Sequence, residues 1–325
     1  MIPFIGTWQF KNLAEKSLEK ISFGGINTSI PLDDLSLFQT GTTWFSDDRT
    51  QLAWLSNREI LRQITSENGF KTPAWKVDCS LEKLAVWCIK RNLFPLAIKP
   101  CTNDSESRKI FRLSGFRDLS TFYVKINGKG IDKIILEEWV KGKYIFEITH
   151  GAGGFELISQ IGLRKDLTCK TVWRIFPLKL PQSLKSKILP IMKTFDKFLD
   201  RPAKLLRYTF SVDEKDATLI SINGGFNRLE YYPGWNGLTD GKSPFEKVLS
   251  GAAAEPISGE TKFMIHYFRK NKKENQYPEK LPEIELKAPV ISYFRQENMA
   301  VALFTSNIPE NFQKSIKELE FVLAE

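Results

Sequence analysis

The apolar segments of this chain are short, and one of them ends abruptly in a cation. The run Phe94-Pro95-Leu96-Ala97-Ile98 stops at Lys99, and no apolar stretch approaches the roughly 20 residues that a membrane span needs. A run of this length predicts a buried strand. Because an unpaired buried ammonium costs several kcal/mol to desolvate, Lys99 is expected either to reach solvent at the strand end or to meet other groups.

Strand-like and helix-like segments follow one another along the chain. The acidic turn at residues 213–216 predicts a hairpin between strands 205–212 and 217–223. Gly24-Gly25 predicts a turn in the first 50 residues, which are otherwise hard to interpret. Strands that form hairpins, mixed with helices, indicate an α+β fold. Helical periodicity covers residues 52–64, 81–89, 181–199 and 312–322, and strand patterns cover residues 72–77, 96–99, 133–138, 144–149, 157–163, 263–268 and 299–304.

Composition and charge exclude several classes of protein. The 42% hydrophobic and 26% charged residues are ordinary for a globular chain. Four cysteines without a Cys-x-x-Cys pair and only two histidines do not favour a zinc site. The net charge of +9 comes from scattered lysines, and the dense run at residues 269–273 fits a solvated loop better than a nucleic-acid surface. Without a basic leader at the amino terminus, we expect a cytoplasmic protein that needs no membrane.

The order of several polar and glycine-containing segments is more specific than any one of them. Between Leu55 and Gly225 this ordered set resembles the ATP-grasp family of ATP-dependent ligases. Its parts are the Asn-Gly-Phe-Lys-Thr-Pro segment at residues 68–73, the strand ending in Lys99-Pro100, the turn Glu137-Glu138-Trp139-Val140-Lys141-Gly142, the long helix, and the hairpin ending in Ile222-Asn223-Gly224-Gly225.

The resemblance implies two α+β subdomains that grip a nucleotide, with a shortened N-terminal α/β region. It places that N-terminal region at residues 1–55 and the small subdomain, with Lys99 and the start of the hinge, at residues 56–140. The large subdomain would take residues 141–255, and residues 256–325 would complete the fold. Because the N-terminal region is short, completion by a partner subunit, as in a homodimer, is an open alternative.

The resemblance also implies roles for individual residues around ATP. Lys99 would contact the α- and β-phosphates, which suits a mobile point charge. Glu137 would accept from the adenine amino group, the backbone of Glu138 and Val140 would contact the adenine edge, and Trp139 would lie beside it. Tyr144 occupies the position at which the family usually holds the ribose hydroxyls with a glutamate.

Further roles concern the reacting groups. Arg207 would lie near the transferred phosphate or the tetrahedral oxyanion, and Asn223 would hold magnesium. Arg164, Arg174 and Arg228 are the candidates to bind a substrate carboxylate, since guanidinium groups bind carboxylates in a bidentate manner. For each arginine taken singly, a surface salt bridge is the ordinary alternative. The expected substrate is a small-molecule or peptide carboxylate.

The chain departs from the family pattern where phosphates and magnesium bind. The loop after Lys99-Pro100, residues 101–108, has no glycine and carries Asp104 and Glu106 where anions would bind. The family has two magnesium carboxylates in this hairpin. Here its start reads Tyr208-Thr209 and its end reads Ser221-Ile222-Asn223, so tyrosine or threonine and serine stand at those positions. One neutral amide cannot hold a hard dication well. Glu147 and Glu230 are candidates to substitute.

Two functions are therefore consistent with the sequence. The first is an ATP-dependent ligase that activates a carboxylate as an acyl-phosphate for attack by an amine or a similar nucleophile. The second is a catalytically degenerate ATP-grasp protein that binds a nucleotide, another ligand or a protein partner. A nucleic-acid-binding surface on the same fold is a third and weaker alternative, which steep salt dependence of binding would support.

Overall fold

The computed structural model describes most of the chain outside its N-terminal fifth. Within the described residues the chain forms five helices and fourteen strands. The described residues are 2–5, 23–26, 57–101, 111–126, 133–140, 142–151, 156–163, 171–198, 205–214, 216–224, 260–269, 277–296 and 299–323.

The helices and strands, numbered in chain order, have the following bounds. The helices are α1 (Arg58–Glu67), α2 (Leu81–Arg91), α3 (Phe116–Ile126), α4 (Gln182–Lys197) and α5 (Glu310–Val322). The strands are β1 (Ile2–Ile5), β2 (Phe23–Ile26), β3 (Trp75–Asp78), β4 (Leu96–Pro100), β5 (Phe111–Leu113), β6 (Ile134–Glu138), β7 (Tyr144–Gly151), β8 (Glu156–Leu163), β9 (Thr171–Phe176), β10 (Leu205–Val212), β11 (Ala217–Gly224), β12 (Lys262–Arg269), β13 (Val290–Gln296) and β14 (Met299–Ser306).

Side chains that cap α1 and α2 explain where these helices begin. Asn57 Oδ1 accepts from the backbone N–H groups of Glu59 and Ile60, at 3.0 and 3.3 Å. Ser80 caps α2 by accepting from the N–H of Lys83 at 3.4 Å. Each cap satisfies a donor that has no partner inside its helix. Gly69, just past the end of α1, has a φ of +70°, a conformation that glycine adopts without strain.

A four-stranded antiparallel sheet, the small sheet, has the strand order β3-β6-β4-β5. Alternate residues such as Leu96, Ile98 and Leu136 are fully buried in a core that includes Leu84 of α2 and Phe122 of α3. The other residues of β4 and β6 point to the opposite face, because side chains alternate along a strand. This opposite face carries Lys99 and Glu137.

An eight-stranded sheet, the large sheet, has the order β11-β10-β7-β8-β9-β12-β14-β13, with every neighbouring pair antiparallel. Helix α4 buries Ile188 and Phe195 in a core with Tyr208 and Phe210 of β10. A second core lies under α5, around Phe312. Helices and antiparallel sheets together confirm the predicted α+β class. The predicted boundary between residues 255 and 256 lies outside the described residues, although β12 to β14 join the same sheet as the hairpin.

Helix α1 lies between the two sheets. Its residues Leu61 and Ile64 belong to the core under α4. At its start, the N–H of Arg58 donates to the carbonyl of Cys101, just after β4, at 2.9 Å. One helix therefore holds the end of the β4 strand against the core of the large sheet.

The predicted turn at Gly24-Gly25 is wrong. Both glycines lie inside β2, which pairs in parallel with β1 through the registers Pro3 with Gly24 and Phe4 with Gly25. Glycine is a weak strand former, so local propensity gives no sign of this strand. Its pairing partner lies about twenty residues earlier in the chain, and parallel strands need a long connection between them.

Among the described residues, no helix is long and apolar enough to cross a membrane.

His266 on β12 makes the stability of the fold sensitive to acid. Its ring packs beside Phe268, with 4.5 Å between ring centroids, and burial lowers its pKa from 6.5 to about 4. Glu320 Oε1 lies 3.7 Å from Nε2, too far for a hydrogen bond, and the glutamate side chain is 55% exposed. This carboxylate therefore does little to offset the effect of burial on the pKa.

Lowering the pH from 7 to 4 should reduce the free energy of unfolding by roughly 3 kcal/mol through His266 alone. The unfolded histidine takes up a proton below about 6.5, whereas the folded one stays neutral down to about 4. The stabilisation is therefore complete above 6.5 and is lost as the pH falls. Urea unfolding at both pH values should show a smaller loss in His266→Phe. An equal loss in the two proteins would contradict this assignment.

Candidate active site

A buried ion pair lies on the face of the small sheet that points away from α2 and α3. Lys99 Nζ donates to Glu137 Oε2 at 2.5 Å, and the two side chains are 4% and 3% exposed. The register places Ala97 opposite Glu137 and Lys99 opposite Ile135, so both charged residues project from the same side of neighbouring strands. The lysine that ends the apolar run is therefore buried, and Glu137 is the anion that it meets.

Arg62 of α1 adds a second cation to the same carboxylate. Its Nε donates to Glu137 Oε1 at 2.7 Å, and its side chain is 1% exposed. The other guanidinium nitrogens donate across to the large sheet: Nη1 to the carbonyl of Leu219 at 2.6 Å and Nη2 to that of Ile220 at 3.2 Å. We call Lys99, Glu137 and Arg62 the small-sheet cluster. It contains two cations and one anion.

Charges within the small-sheet cluster govern its protonation. Burial alone would raise the pKa of Glu137, but Arg62 and Lys99 outweigh burial and lower it to about 2. Burial lowers the pKa of Lys99 to about 8. Glu137 raises this pKa, but Arg62 and Arg58 oppose that effect. Glu137 is thus an anion at neutral pH, and Lys99 is a cation that gives up its proton more readily than an exposed lysine.

The segment after Glu137 is held by backbone and packing contacts. The N–H of Glu138 donates to Ala74 at 2.8 Å and that of Trp139 donates to Pro95 at 3.0 Å. The guanidinium of Arg112 lies 5.5 Å from the centre of the Trp139 ring. Among the backbone groups predicted to contact adenine, the Glu138 N–H is thus already bonded. Trp139 and Val140 are half-buried beside it.

Gly142 allows the turn after Trp139 to approach the large sheet. A Cβ atom at this position would lie 2.1 Å from Ser211 Oγ and 2.8 Å from the backbone nitrogen of Val212, both on β10. Such distances leave no room for any side chain, so only glycine fits at this close approach. The glycine that ends the predicted hinge thus fixes the hinge against β10.

A second buried cluster lies on the large sheet. Glu147 of β7 contacts Arg174 Nη1 through Oε1, and its Oε2 lies 3.2 Å from Arg207 Nε. Arg174 Nη1 also donates to Ser159 Oγ at 3.4 Å. The carboxylate is 4% exposed, and the arginine side chains are 2% and 10% exposed. We call Glu147, Arg174 and Arg207 the large-sheet cluster.

The residues that would hold magnesium do not fit a hard dication. Thr209 and Ser221 face each other in the hairpin register, and Asn223 pairs with Arg207 in the same hairpin. The side chains of Thr209, Ser221 and Asn223 are uncharged, whereas magnesium sites use one or two carboxylates. The described residues contain no cluster of three Asp, Glu, His or Cys side chains. Glu147 lies opposite Thr209 on β7, but both of its oxygens contact arginines.

One predicted site residue lies apart from the two buried clusters, and several others lie outside the described residues. Tyr144, at the start of β7, is 39% exposed and lies near Phe146, on the opposite face of the large sheet from Glu147. Arg164, Arg228 and Glu230 lie outside the described residues, as do residues 102–108 of the phosphate loop. The nucleotide, substrate and metal roles of all these residues, and of those described above, stay predictions.

Arg58 and Arg62 are buried residues of this site whose contacts were not predicted from the sequence. Arg58 contacts the Pro100 carbonyl through Nη1 and is 7% exposed, and Arg62 is among the largest fully buried side chains. A signal was present, because these arginines share the helical spacing of the apolar residues Leu61 and Ile64. A cation on the apolar stripe of an amphipathic helix indicates a buried partner elsewhere in the fold.

Comparison with known proteins gives matches in structure only. No family model matches the sequence, and no curated protein matches it. The structure is similar to that of phosphoribosylamine–glycine ligase from Thermotoga maritima, with a TM-score of 0.70 and 13% identity over 98% of this chain and 96% of that one.

Two further solved structures extend the similarity. N5-carboxyaminoimidazole ribonucleotide synthetase from Thermus thermophilus has a TM-score of 0.68 and 12% identity, over 100% of this chain and 99% of that one. L-amino acid ligase from Bacillus licheniformis has a TM-score of 0.60 and 14% identity, over 96% of this chain and 82% of that one. Identities this low show a shared fold and no more.

Proposed function

We propose that this chain, which has the ATP-grasp fold, binds ATP and acts as an ATP-dependent ligase that joins a carboxylate to an amine or a similar nucleophile. The observation that carries the proposal is the buried Lys99–Glu137 pair on the face of the small sheet that points away from α2 and α3. A lysine ammonium has three donors, and Glu137 takes one of them. With Arg62, the cluster has two cations for one anion, which suits an adjacent polyphosphate.

The large-sheet cluster would act on the reacting groups. A substrate carboxylate oxygen would attack the γ-phosphorus, the bond from that phosphorus to the β,γ-bridging oxygen would break, and ADP would leave. The amine would then attack the acyl-phosphate carbonyl, the bond from that carbon to the phosphate oxygen would break, and phosphate would leave with the proton that the nitrogen loses. Arg207 would stabilise the charge that develops on the transferred phosphoryl group or the tetrahedral oxygen. Arg174 would help to hold the substrate carboxylate.

A second candidate is an ATP-grasp protein that binds nucleotide without catalysis. Two observations favour it: Thr209 and Ser221 supply no charge for magnesium, and both oxygens of Glu147 contact arginines. Phosphoryl transfer usually needs a metal that bridges the β- and γ-phosphates. Phosphate release from ATP in the presence of a panel of carboxylates and amines would separate the candidates, because a binder without catalysis releases none.

Lys99→Met should remove about half or more of the stabilisation that ATP gives to the wild-type protein. At an ATP concentration of about 100 times the dissociation constant, binding should add about 2.7 kcal/mol to the free energy of unfolding, and the melting temperature should rise accordingly. The variant removes the phosphate cation, so we expect at least tenfold weaker binding. The measurement is the melting temperature with and without ATP, in magnesium and in EDTA.

Lys76→Met is the matched control. Lys76 is exposed on β3 of the same sheet and points away from the Lys99 face. Its ATP-dependent shift should equal that of the wild type. No shift in wild-type protein at millimolar ATP, with or without magnesium, would reject nucleotide binding in both candidate functions.

A further inference from the structure

Arg62 touches both sheets of the molecule through one guanidinium group. It donates to Glu137 on β6 and to two consecutive carbonyls, those of Leu219 and Ile220, on β11. Among the described strands, β11 is the edge of the large sheet, so its outward carbonyls pair with no described strand. Three hydrogen bonds in fixed planar directions use the fork geometry that distinguishes arginine from lysine.

A β-bulge at Ile220 accounts for the two consecutive carbonyl acceptors. The hairpin register runs from Thr209 opposite Ser221 to Phe210 opposite Leu219, so Ile220 has no partner on β10. In a regular strand, consecutive carbonyls point in opposite directions, and a bulge breaks this alternation. Because of the bulge, both carbonyls can face one guanidinium.

We infer that Arg62 is a positioning residue that orients Glu137 and Lys99 for the nucleotide and ties this grip to the bulged hairpin that carries Arg207 and Asn223. The inference rests on the proposed function, since Lys99 is taken there as the phosphate ligand. Arg62 itself acts through Glu137 and does not need to touch the nucleotide. Removing it would leave Glu137 with one cation and free the carboxylate to rotate.

The charge of Arg62 and its shape make separable contributions. Burial is the largest cause of the lowered pKa of Lys99, Glu137 raises this pKa, and the charges of Arg62 and Arg58 lower it further. The shape of Arg62 fixes the carboxylate and the two carbonyls at once. Arg62→Lys keeps the charge but has a single ammonium, which cannot span three acceptors on two sheets. Arg62→Met loses both the charge and the fork.

The experiment measures ATP affinity and the titration of Lys99 in both variants, with Gln63→Met, an exposed position on the same helix, as the control. We expect at least tenfold weaker ATP binding in Arg62→Lys and in Arg62→Met, and wild-type binding in the control. The Lys99 titration is followed without nucleotide by the ¹³Cε shift of labelled lysine. Its midpoint should rise in Arg62→Met and stay close to the wild-type value in Arg62→Lys.

Hydrogen exchange gives a readout that does not depend on ATP. If Arg62 ties the two sheets together, both variants should exchange faster at the amides of β6 and of β11, while those of β14 stay unchanged. Wild-type ATP affinity in Arg62→Lys, or unchanged exchange at β11, would overturn the inference. If wild-type protein binds no ATP, the proposed function fails, and the Lys99 titration and the exchange data still decide whether Arg62 positions the cluster. If Arg62→Met does not fold, the lysine variant carries the test.

Discussion

Glu137→Leu is expected to lower the free energy of unfolding by roughly 3–5 kcal/mol, the usual cost of removing one partner of a buried ion pair. The change leaves Lys99 and Arg62 facing each other across a site that is almost closed to water. Two buried cations without the anion between them repel each other and lose their hydrogen bonds. Urea unfolding at pH 7 measures the loss.

Glu138→Leu is the matched control for this prediction. Glu138 is the next residue on β6 and its side chain is exposed, so its replacement should change the free energy of unfolding by less than about 0.5 kcal/mol. An equal loss in both variants would show that the effect comes from the strand and not from the ion pairs.

The pH dependence of the same variant tests the cause of the loss. The folded pKa of Glu137 is lowered from 4.5 to about 2, so its charge stabilises the fold above 4.5 and this stabilisation is lost as the pH falls through about 2. The difference between wild type and Glu137→Leu should therefore narrow below pH 4.5. A constant difference down to pH 2 would indicate lost packing and not lost charge.

Local patterns predicted much of the fold because several helices and strands carry a recognisable sequence signal at their ends. Ser80 at the start of α2, Asn68-Gly69 at the end of α1, and the acidic turn of the β10–β11 hairpin are signals within a few residues of what they determine. The order of Lys99, the Glu137 turn and the hairpin then indicated the fold. Strand β2 was not found because two of its four residues are glycine, a weak strand former.

The site was only partly predictable for a different physical reason. Lys99 and Glu137 were recognised from strand ends, but their contact with each other depends on strand register, which a sequence shows poorly. Arg62 contacts partners 75 and 157 residues away in the chain. The contacts of Glu147 with Arg207 and Arg174 likewise depend on four strands, β10, β7, β8 and β9, that lie side by side only in the folded sheet.

Glu147→Leu is the second change with a large expected effect, also roughly 3–5 kcal/mol of lost unfolding free energy. Glu147 lies between Arg174 and Arg207, and all three side chains are at least nine-tenths buried. Glu147→Gln keeps the volume and one acceptor oxygen, so its loss should be intermediate. Glu214→Leu is the control, because Glu214 is 83% exposed and its 3.7 Å pair with Lys143 is worth at most about 1 kcal/mol.

The glutamine variant also separates the two roles considered for Glu147. If Glu147 serves the arginines, as its contacts indicate, Glu147→Gln should leave the effect of magnesium on ATP binding the same as in wild type. If instead the carboxylate moves to hold a metal once ATP is bound, the variant should lose the magnesium effect while it retains binding in EDTA. Calorimetric titration of ATP at several magnesium concentrations distinguishes these outcomes. Since Thr209 and Ser221 carry no charge, a metal bound beside them would depend on Glu147, which lies opposite Thr209 on the neighbouring strand β7.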